Sequence, residues 1–447
     1  MRERGGACTR LLNMRISTIL KPIVVATFLV GLSLGAFAQA DVDSPYSLFG
    51  PGQINERSMN ARLKGMGGVA NAMFGKGIIN AENPASYAKI DSLAFLFDAG
   101  FYFKASTFST SSRSEQGSNA SFDHISMAFG LTPWWKMALG VQPLTTAGYT
   151  VLVNQTVTDV GTTTTRFKGN GGINQAFVGT AFKLGKHFAL GANAYYLFGN
   201  SKSETSLYFP DSTYMLGTRT SLDLMVHSFM FDYGALFNTK VGNDMELGVG
   251  LTYTQKINVN ADQTLLIRSF EEDMSTDVEY IIDTIASEKS ATKITMPHGF
   301  GVGLSLQKGD EWALGADFNW TQWSKFARQG IADGLRDSWY ASVGFEFTPR
   351  HTTISGYFSR VTYRFGGFYE HGFINLKGKD DTNHNINKVG ITAGMSLPLP
   401  RTQSKVNLAF EAGQYGTREG GLIQERYAKL SVGVSVFEHW FQKRKYK

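Results

Sequence analysis

From about residue 91 to residue 441 the chain reads as fourteen short segments in which apolar and polar residues alternate. One segment sets Leu93, Phe95, Phe97, Ala99, Phe101 and Phe103 on one face, against Ala94, Asp98, Gly100, Tyr102 and Lys104 on the other. A period of two held over such lengths means strand. Short links at 132–136, 184–186, 240–244, 308–311, 348–350 and 398–403 alternate with long ones at 108–119, 154–169, 200–216, 269–290, 324–333, 372–383 and 415–423. Every second turn then lies on the same side of a wall. The pattern predicts an all-β fold, a transmembrane antiparallel β-barrel of about 14 strands, with tight turns at one end and large loops at the other. A soluble sandwich also alternates, but its connections do not usually separate into two length classes.

The polar face carries Asp98, Asp232, Glu246, Asp317, Glu346 and Glu411, with His124 on the same side. A charge against lipid costs about 2–4 kcal/mol at mid-bilayer for Lys or Arg, and somewhat less for a carboxylate. Asp98, His124, Asp232, Asp317, Glu346 and Glu411 are therefore candidate lumen residues. The 33 Phe, 18 Tyr and 49 Gly suit strands with aromatic groups toward lipid and small residues inside. All seven Trp fall near segment ends, where indole rings prefer the headgroup zone.

Arg10, Arg15 and Lys21 precede an apolar run at 23–37, and Ala36-Phe37-Ala38 and Ala38-Gln39-Ala40 both fit a small-x-small cleavage rule. Residues 1–40 read as a secretory signal peptide. Met14 makes the more ordinary start, which would leave 1–13 as an upstream artefact. Setting aside Arg2, Arg4, Arg10, Arg15, Lys21 and Glu3 lowers 43 basic residues to 38 and 37 acidic residues to 36, a balance of +2. That is no footprint for nucleic acid. The single cysteine, Cys8, lies in the segment to be removed, which leaves neither a disulfide nor a thiolate site.

Residues 41–90 do not alternate. Gly65-Met66-Gly67-Gly68 and Asn80-Ala81-Glu82-Asn83-Pro84-Ala85-Ser86 punctuate them, with short helical turns expected around 60–64 and 84–89. No face there is wide enough to fold alone. The segment is expected to plug the lumen of the barrel formed by 91–447.

Catalytic chemistry finds little support. Gly31-Leu32-Ser33-Leu34-Gly35 matches a nucleophile-elbow string inside the signal core, and Gly299-Phe300-Gly301-Val302-Gly303 is a strand with glycine on one face. The eight His lack metal-ligand spacing. Glu271, Glu272, Asp273, Asp277 and Glu279 lack the ligand order of a calcium loop and read as a solvated loop face. No catalytic residue, metal ligand or cofactor is assigned.

The Gly65–Gly68 and Asn80–Ser86 strings, directly ahead of the first strand, resemble the N-terminal hatch of the long-chain fatty-acid transporter (FadL-like) family of outer-membrane proteins. The stretch at 428–447, with Val434-Ser435-Val436-Phe437-Glu438-His439-Trp440-Phe441, also resembles a divergent branch of that family. The resemblance implies a hatch-plugged barrel, with Asn83, Pro84 and Ala85 matching the hatch motif. It also implies that hydrophobic ligands leave sideways through a gap at the third strand. That strand, at 137–153, contains Pro143 and Gly148, one unable to donate a ladder hydrogen bond and the other permissive of a bulge.

Two functions follow as expectations. One is passive uptake of hydrophobic small molecules such as long-chain fatty acids, with lateral exit. The alternative is a scaffold or shuttle barrel that binds exported proteins in a secretion system. Either places the chain in a Gram-negative outer membrane, with long loops extracellular and both termini periplasmic. Expected partners are a hydrophobic ligand, membrane lipid and the barrel-assembly machinery during biogenesis, but no nucleic acid.

Overall fold

The computed structural model describes residues 44–54, 60–212, 214–242, 244–273, 278–349, 356–400 and 402–439. The predicted signal peptide with Cys8, and Trp440 and Phe441, lie outside them.

Seven strands come first: β1 (Ala94–Ser109), β2 (Ser114–Gly130), β3 (Trp135–Val157), β4 (Gly161–Leu184), β5 (Phe188–Tyr208), β6 (Gly217–Val241) and β7 (Met245–Thr254). A hairpin follows, β8 (Ile257–Asp273) and β9 (Val278–Met296). The remaining seven are β10 (Gly299–Lys308), β11 (Trp312–Thr321), β12 (Ser338–Phe347), β13 (Thr362–His371), β14 (Lys388–Pro398), β15 (Lys405–Gly416) and β16 (Gln424–His439). β7 pairs with β10 from Met245↔Lys308 to Thr254↔Gly299, so the hairpin stands outside the lower wall. β1 pairs with β16 from Ala94↔His439 to Ser109↔Gln424 and closes the circle. The wall is a closed antiparallel barrel of fourteen strands.

Alternation decides which side chains face out. In β11, Leu314, Ala316 and Phe318 are exposed while Ala313, Gly315 and Asp317 are buried. In β12, Val343, Phe345 and Phe347 are exposed while Ser342, Gly344 and Glu346 are buried. The exposed faces are apolar because lipid is their solvent. Aromatic rings touch across neighbouring strands at two levels of this outer surface. Tyr233, Tyr253, Phe300 and Trp320 run across β6, β7, β10 and β11 with centroids 6.3, 4.9 and 6.2 Å apart. At the short-turn end Trp134, Trp135 and Phe182 stack 6.0–6.2 Å apart. Two such girdles mark the two interfaces of a bilayer. Trp323 departs from the sequence expectation: it sits in a 3-10 turn, buried against Phe326 and Phe373, rather than at a lipid boundary.

Several long loops are strand rather than coil. The 154–169 segment continues the β3–β4 ladder to Val157↔Gly161, and most of the 269–290 segment belongs to β8 and β9. Runs such as Thr162–Thr165 are β-branched, and a polar strand face costs nothing once both sides meet water. β6 serves two partners, with Asp232–Val241 pairing with β7 and Gly217–Val226 pairing with β8.

Candidate functional site

Residues 60–90 lie against the inward faces of the strands. Asn60 caps the helix Ala61–Lys64, its Oδ1 accepting from Leu63 N at 3.2 Å. The chain then turns through Gly67 at φ 70°. Asn80 Nδ2 donates to Ala70 O and Met73 O at 2.7 and 3.0 Å, folding the segment back on itself. Asn83 caps a 3-10 turn, Pro84–Lys89, through Ala85 N at 3.1 Å, and its Nδ2 reaches Asn71 O at 2.5 Å and Ala235 O of β6 at 3.2 Å. Pro84 follows the cap, where a missing N–H does no harm, and Ala85 is fully buried. Asn83, Pro84 and Ala85 thus form the joint between this segment and the wall.

The wall has glycine where the segment arrives. A Cβ on Gly250 of β7 would lie 1.8 Å from Asn71 O, and one on Gly191 of β5 would lie 2.4 Å from the Pro84 carbonyl carbon. No side chain fits at either place. Polar wall residues take up the segment's backbone groups. Asp317 Oδ2 accepts from Ala70 N and Asn71 N at 2.6 and 2.8 Å, and Tyr340 OH donates to Gly67 O at 2.6 Å. Asn193 Nδ2 donates to Ala81 O at 2.8 Å, and its Oδ1 accepts from Tyr87 OH at 3.1 Å. Burial pushes the Tyr87 hydroxyl well above its ordinary pKa, so it stays a donor.

A belt of charged and polar groups crosses seven adjacent strands and ends on the Ala61–Lys64 helix at both sides. Lys64 pairs with Asp123 of β2. Asp123 Oδ2 lies 3.3 Å from His124 Nδ1, and His124 Nε2 lies 3.1 Å from Asp98 Oδ1 of β1. Ser435 of β16 donates to Asp98 Oδ2 at 2.9 Å and accepts from Asn407 of β15 at 2.7 Å. Asn407 meets Ser396 of β14, which accepts from Arg364 Nη1 of β13 at 2.7 Å. Arg364 Nε donates to Glu346 Oε2 of β12 at 2.9 Å, and Glu346 also receives Arg62. Paired and hydrogen-bonded in this way, charges can stay buried.

Asp123 was not singled out from the sequence, because strict alternation would turn it outward. The β1–β2 register slips there, Gly100↔His124 being followed by Phe101↔Phe122. The bulge turns two successive side chains, Asp123 and His124, inward.

The other candidate lumen residues face in as well. Glu411 accepts from Tyr427 OH at 2.6 Å and lies 3.6 Å from Lys388 Nζ. Asp232 sits on β6 with Oδ1 buried and without a hydrogen-bond partner. A cavity of about 90 Å³ is lined by Lys64, Asp123, Glu370, Lys388, Glu411 and Lys429 among others. A second, of about 20 Å³, lies against Lys104, Glu425 and Tyr427.

The ladder between β2 and β3 is short. Their ladder runs only from Gly130↔Lys136 to Ile125↔Val141, while β2 follows β1 to Ser114 and β3 follows β4 to Val157. Pro143, two residues past the last pair, has no N–H, and the β3–β4 register shifts between Pro143 and Thr145. The chain's own N-terminal segment lies on the freed edge of β3. Gln53 and Ile54 pair with Thr146 and Thr145, and Ser44 N donates to Gly148 O at 3.3 Å. Tyr46 of that segment reaches Ile423 O and packs on Tyr415 at 4.9 Å. Pro143 and Gly148 therefore flank the stretch of β3 that has parted from β2 and carries residues 44–54.

A family model described as BamG matches residues 19–447. The chain belongs to the BamG family. No curated protein matches it. Among solved structures, this BamG-family chain is similar to the CymD monoaromatic hydrocarbon channel (13% identity, TM-score 0.56, 87% of this chain and 100% of that chain). It is also similar to the Ralstonia pickettii toluene transporter TbuX (14%, 0.54, 86% and 99%). A third likeness is to a Pseudomonas aeruginosa FadL homologue (12%, 0.57, 86% and 98%). At these identities the likeness establishes a shared barrel fold. It agrees with the divergent, FadL-like branch read from the hatch strings.

Proposed function

We propose that this BamG-family barrel is a closed scaffold of the outer membrane that works with the barrel-assembly machinery rather than as an open pore. The observation that carries the reading is the charge belt closing on both Arg62 and Lys64, which ties the hatch across half the wall. Two cavities beside the belt are lined by charged side chains, Lys64, Asp123, Lys388 and Glu411 among them, which suits water and ions better than an acyl chain. We take the family's name, BamG, to point the same way, toward barrel assembly. In this reading the long hairpins face the outside of the cell and serve as the working surface. Affinity purification of the tagged chain from solubilised outer membranes tests it. The machinery's central barrel should co-elute, and depletion of this chain should lower the amounts of other outer-membrane barrels. A chain that elutes alone and leaves those amounts unchanged contradicts it.

A second reading, passive uptake of hydrophobic small molecules such as long-chain fatty acids with lateral exit, draws on the parting of β2 and β3 beyond Val141. It requires residues 44–54 to leave the edge of β3. Uptake of toluene and of oleate by cells with and without the chain separates the readings, since the scaffold reading predicts equal rates.

A further inference from the structure

The β8–β9 hairpin is the part of the molecule that the barrel does not explain. It starts at Ile257, three residues past the end of β7 and level with the Tyr253–Phe300 girdle. From there to Phe270 it rises through thirteen residues, roughly 40 Å at ~3.3 Å per residue. Lipid does not reach its upper half. One side of β8 is paired with β6, and the other with β9. The outer edge of β9 pairs only at Ile294↔Arg328 and Thr295↔Ala327, so among the described residues no strand covers 280–292. Tyr280, Ile281, Ile282 and Ile285 are 52–59% exposed on that stretch. Ile282 and Ile285 fall at two register breaks, where bulges turn extra side chains outward. Exposed apolar residues on an unpaired strand edge in water invite pairing with another chain.

Charge narrows the occupant. Between residues 269 and 291 the sequence carries Glu271, Glu272, Asp273, Asp277, Glu279, Asp283 and Glu288 against a single basic residue, Lys289. Of these, Glu279 is turned inward onto Arg166 and Arg219, which ties the start of β9 to β4 and β6. An anionic lipid surface is repelled by such a strand, whereas a basic segment is attracted.

We propose that residues 280–291 of β9 are a docking edge that takes an extended, Lys/Arg-bearing apolar segment of another protein as an added strand. The inference rests on the scaffold reading and names the surface that reading needs. β-strand addition draws affinity from main-chain hydrogen bonds and selectivity from alternate side chains. Here Ile281, Ile282 and Ile285 supply the apolar contacts, and the acidic residues select for cations.

The test uses the full mature chain in detergent micelles and two synthetic strand peptides, one alternating Lys with Val and one alternating Glu with Val. The Lys/Val peptide should bind at least ten-fold more tightly and should slow amide exchange at 280–291. The triple variant Ile281→Lys, Ile282→Lys, Ile285→Lys should lose that binding ten-fold or more with unchanged heat-modifiable migration. Should the variant not assemble, peptide selectivity and exchange protection on the unaltered chain decide the matter. Equal affinity for both peptides, or no protection at 280–291, overturns the proposal. So does concentration-dependent self-association through these residues, or binding to anionic vesicles in place of the peptide. If the edge ignores the peptide in a chain that still co-purifies with the assembly machinery, the docking edge alone is wrong. Peptide binding in a chain without that partner upholds the edge and sinks the scaffold reading.

Discussion

Arg62 of the hatch helix meets Glu346 of β12 at two points, Nη2 to Oε1 at 2.5 Å and Nε to Oε2 at 3.2 Å. Arg364 approaches the same carboxylate from β13 at 2.9 Å, so one acid holds two guanidinium groups. Changing Glu346→Gln leaves both with a neutral partner, one of them fully buried. Removing one member of a buried pair costs about 3–5 kcal/mol. The temperature at which the folded band of the purified barrel converts to the unfolded band should fall by many degrees. The exposed-pair change Glu311→Gln, whose partner Lys308 lies at 2.8 Å, should shift it little, because surface pairs contribute about 0–1 kcal/mol.

Gly250 is the tightest contact between hatch and wall. The change Gly250→Ala sets a methyl group 1.8 Å from Asn71 O and must displace the hatch or the strand. Assembled barrel should be lost, or the hatch should become cleavable by added protease. Gly433→Ala, whose new atom would find its nearest neighbour at 3.5 Å, should assemble normally.

Asn83 joins the 3-10 cap to two carbonyls, Asn71 O and Ala235 O. Asn83→Ala should weaken the joint by about 1–3 kcal/mol, the cost of leaving buried partners unmet. Asn83→Asp keeps the cap acceptor but loses both donors, and should recover only part of the loss. Thermal unfolding of the three forms checks the order.

Residues 44–54 can be held on the edge of β3. Gln53 and Thr146 are register partners on adjoining strands. Replacing both with Cys should give a disulfide on mild oxidation, read as a shift in non-reducing electrophoresis after cleavage between them. Under the scaffold reading, the cross-linked chain supports assembly of other barrels as well as the reduced one does. Under the uptake reading, it blocks passage of hydrophobic compounds.

Glu279 gives a pH dependence outside the membrane wall. Burial raises its pKa, but the hydrogen bonds and charge of Arg219, with Tyr208 and Arg166, outweigh burial and the net direction is down. A carboxyl depressed in the folded state contributes above the ordinary Glu range near ~4.3 and loses that contribution as pH falls through its lower folded value. The start of β9 should therefore stay latched to β4 and β6 throughout the range above the ordinary Glu value and open only as pH falls below it. Distance measurements between spin labels on the hairpin and β4 would follow it. Glu279→Gln should loosen the latch wherever the carboxylate would be charged and remove its pH dependence.

Much of the wall was legible because each strand divides two solvents. Alternation along β1, β11 and β12 fixed which residues face lipid, and two classes of connection fixed the count of fourteen. Asp98, His124 and Glu346 were legible as lumen residues, but the pairing along the belt was not. Asp98, His124, Ser435, Asn407, Arg364 and Glu346 come from different strands, and only register sets them in a row. Asp123 was hidden by a bulge that breaks the period locally. The 269–290 part of the β8–β9 hairpin read as loop because its residues past Phe270 are largely exposed, so nothing forces alternation there. The short Gln53–Ile54 strand carries no periodic signal at all.

Conductance of the purified mature chain in a planar bilayer tests most directly whether the hatch closes this barrel. The account predicts no stable conducting steps from the unaltered chain and discrete openings once residues 41–90 are deleted. Steady, ion-conducting openings from the unaltered chain would contradict it.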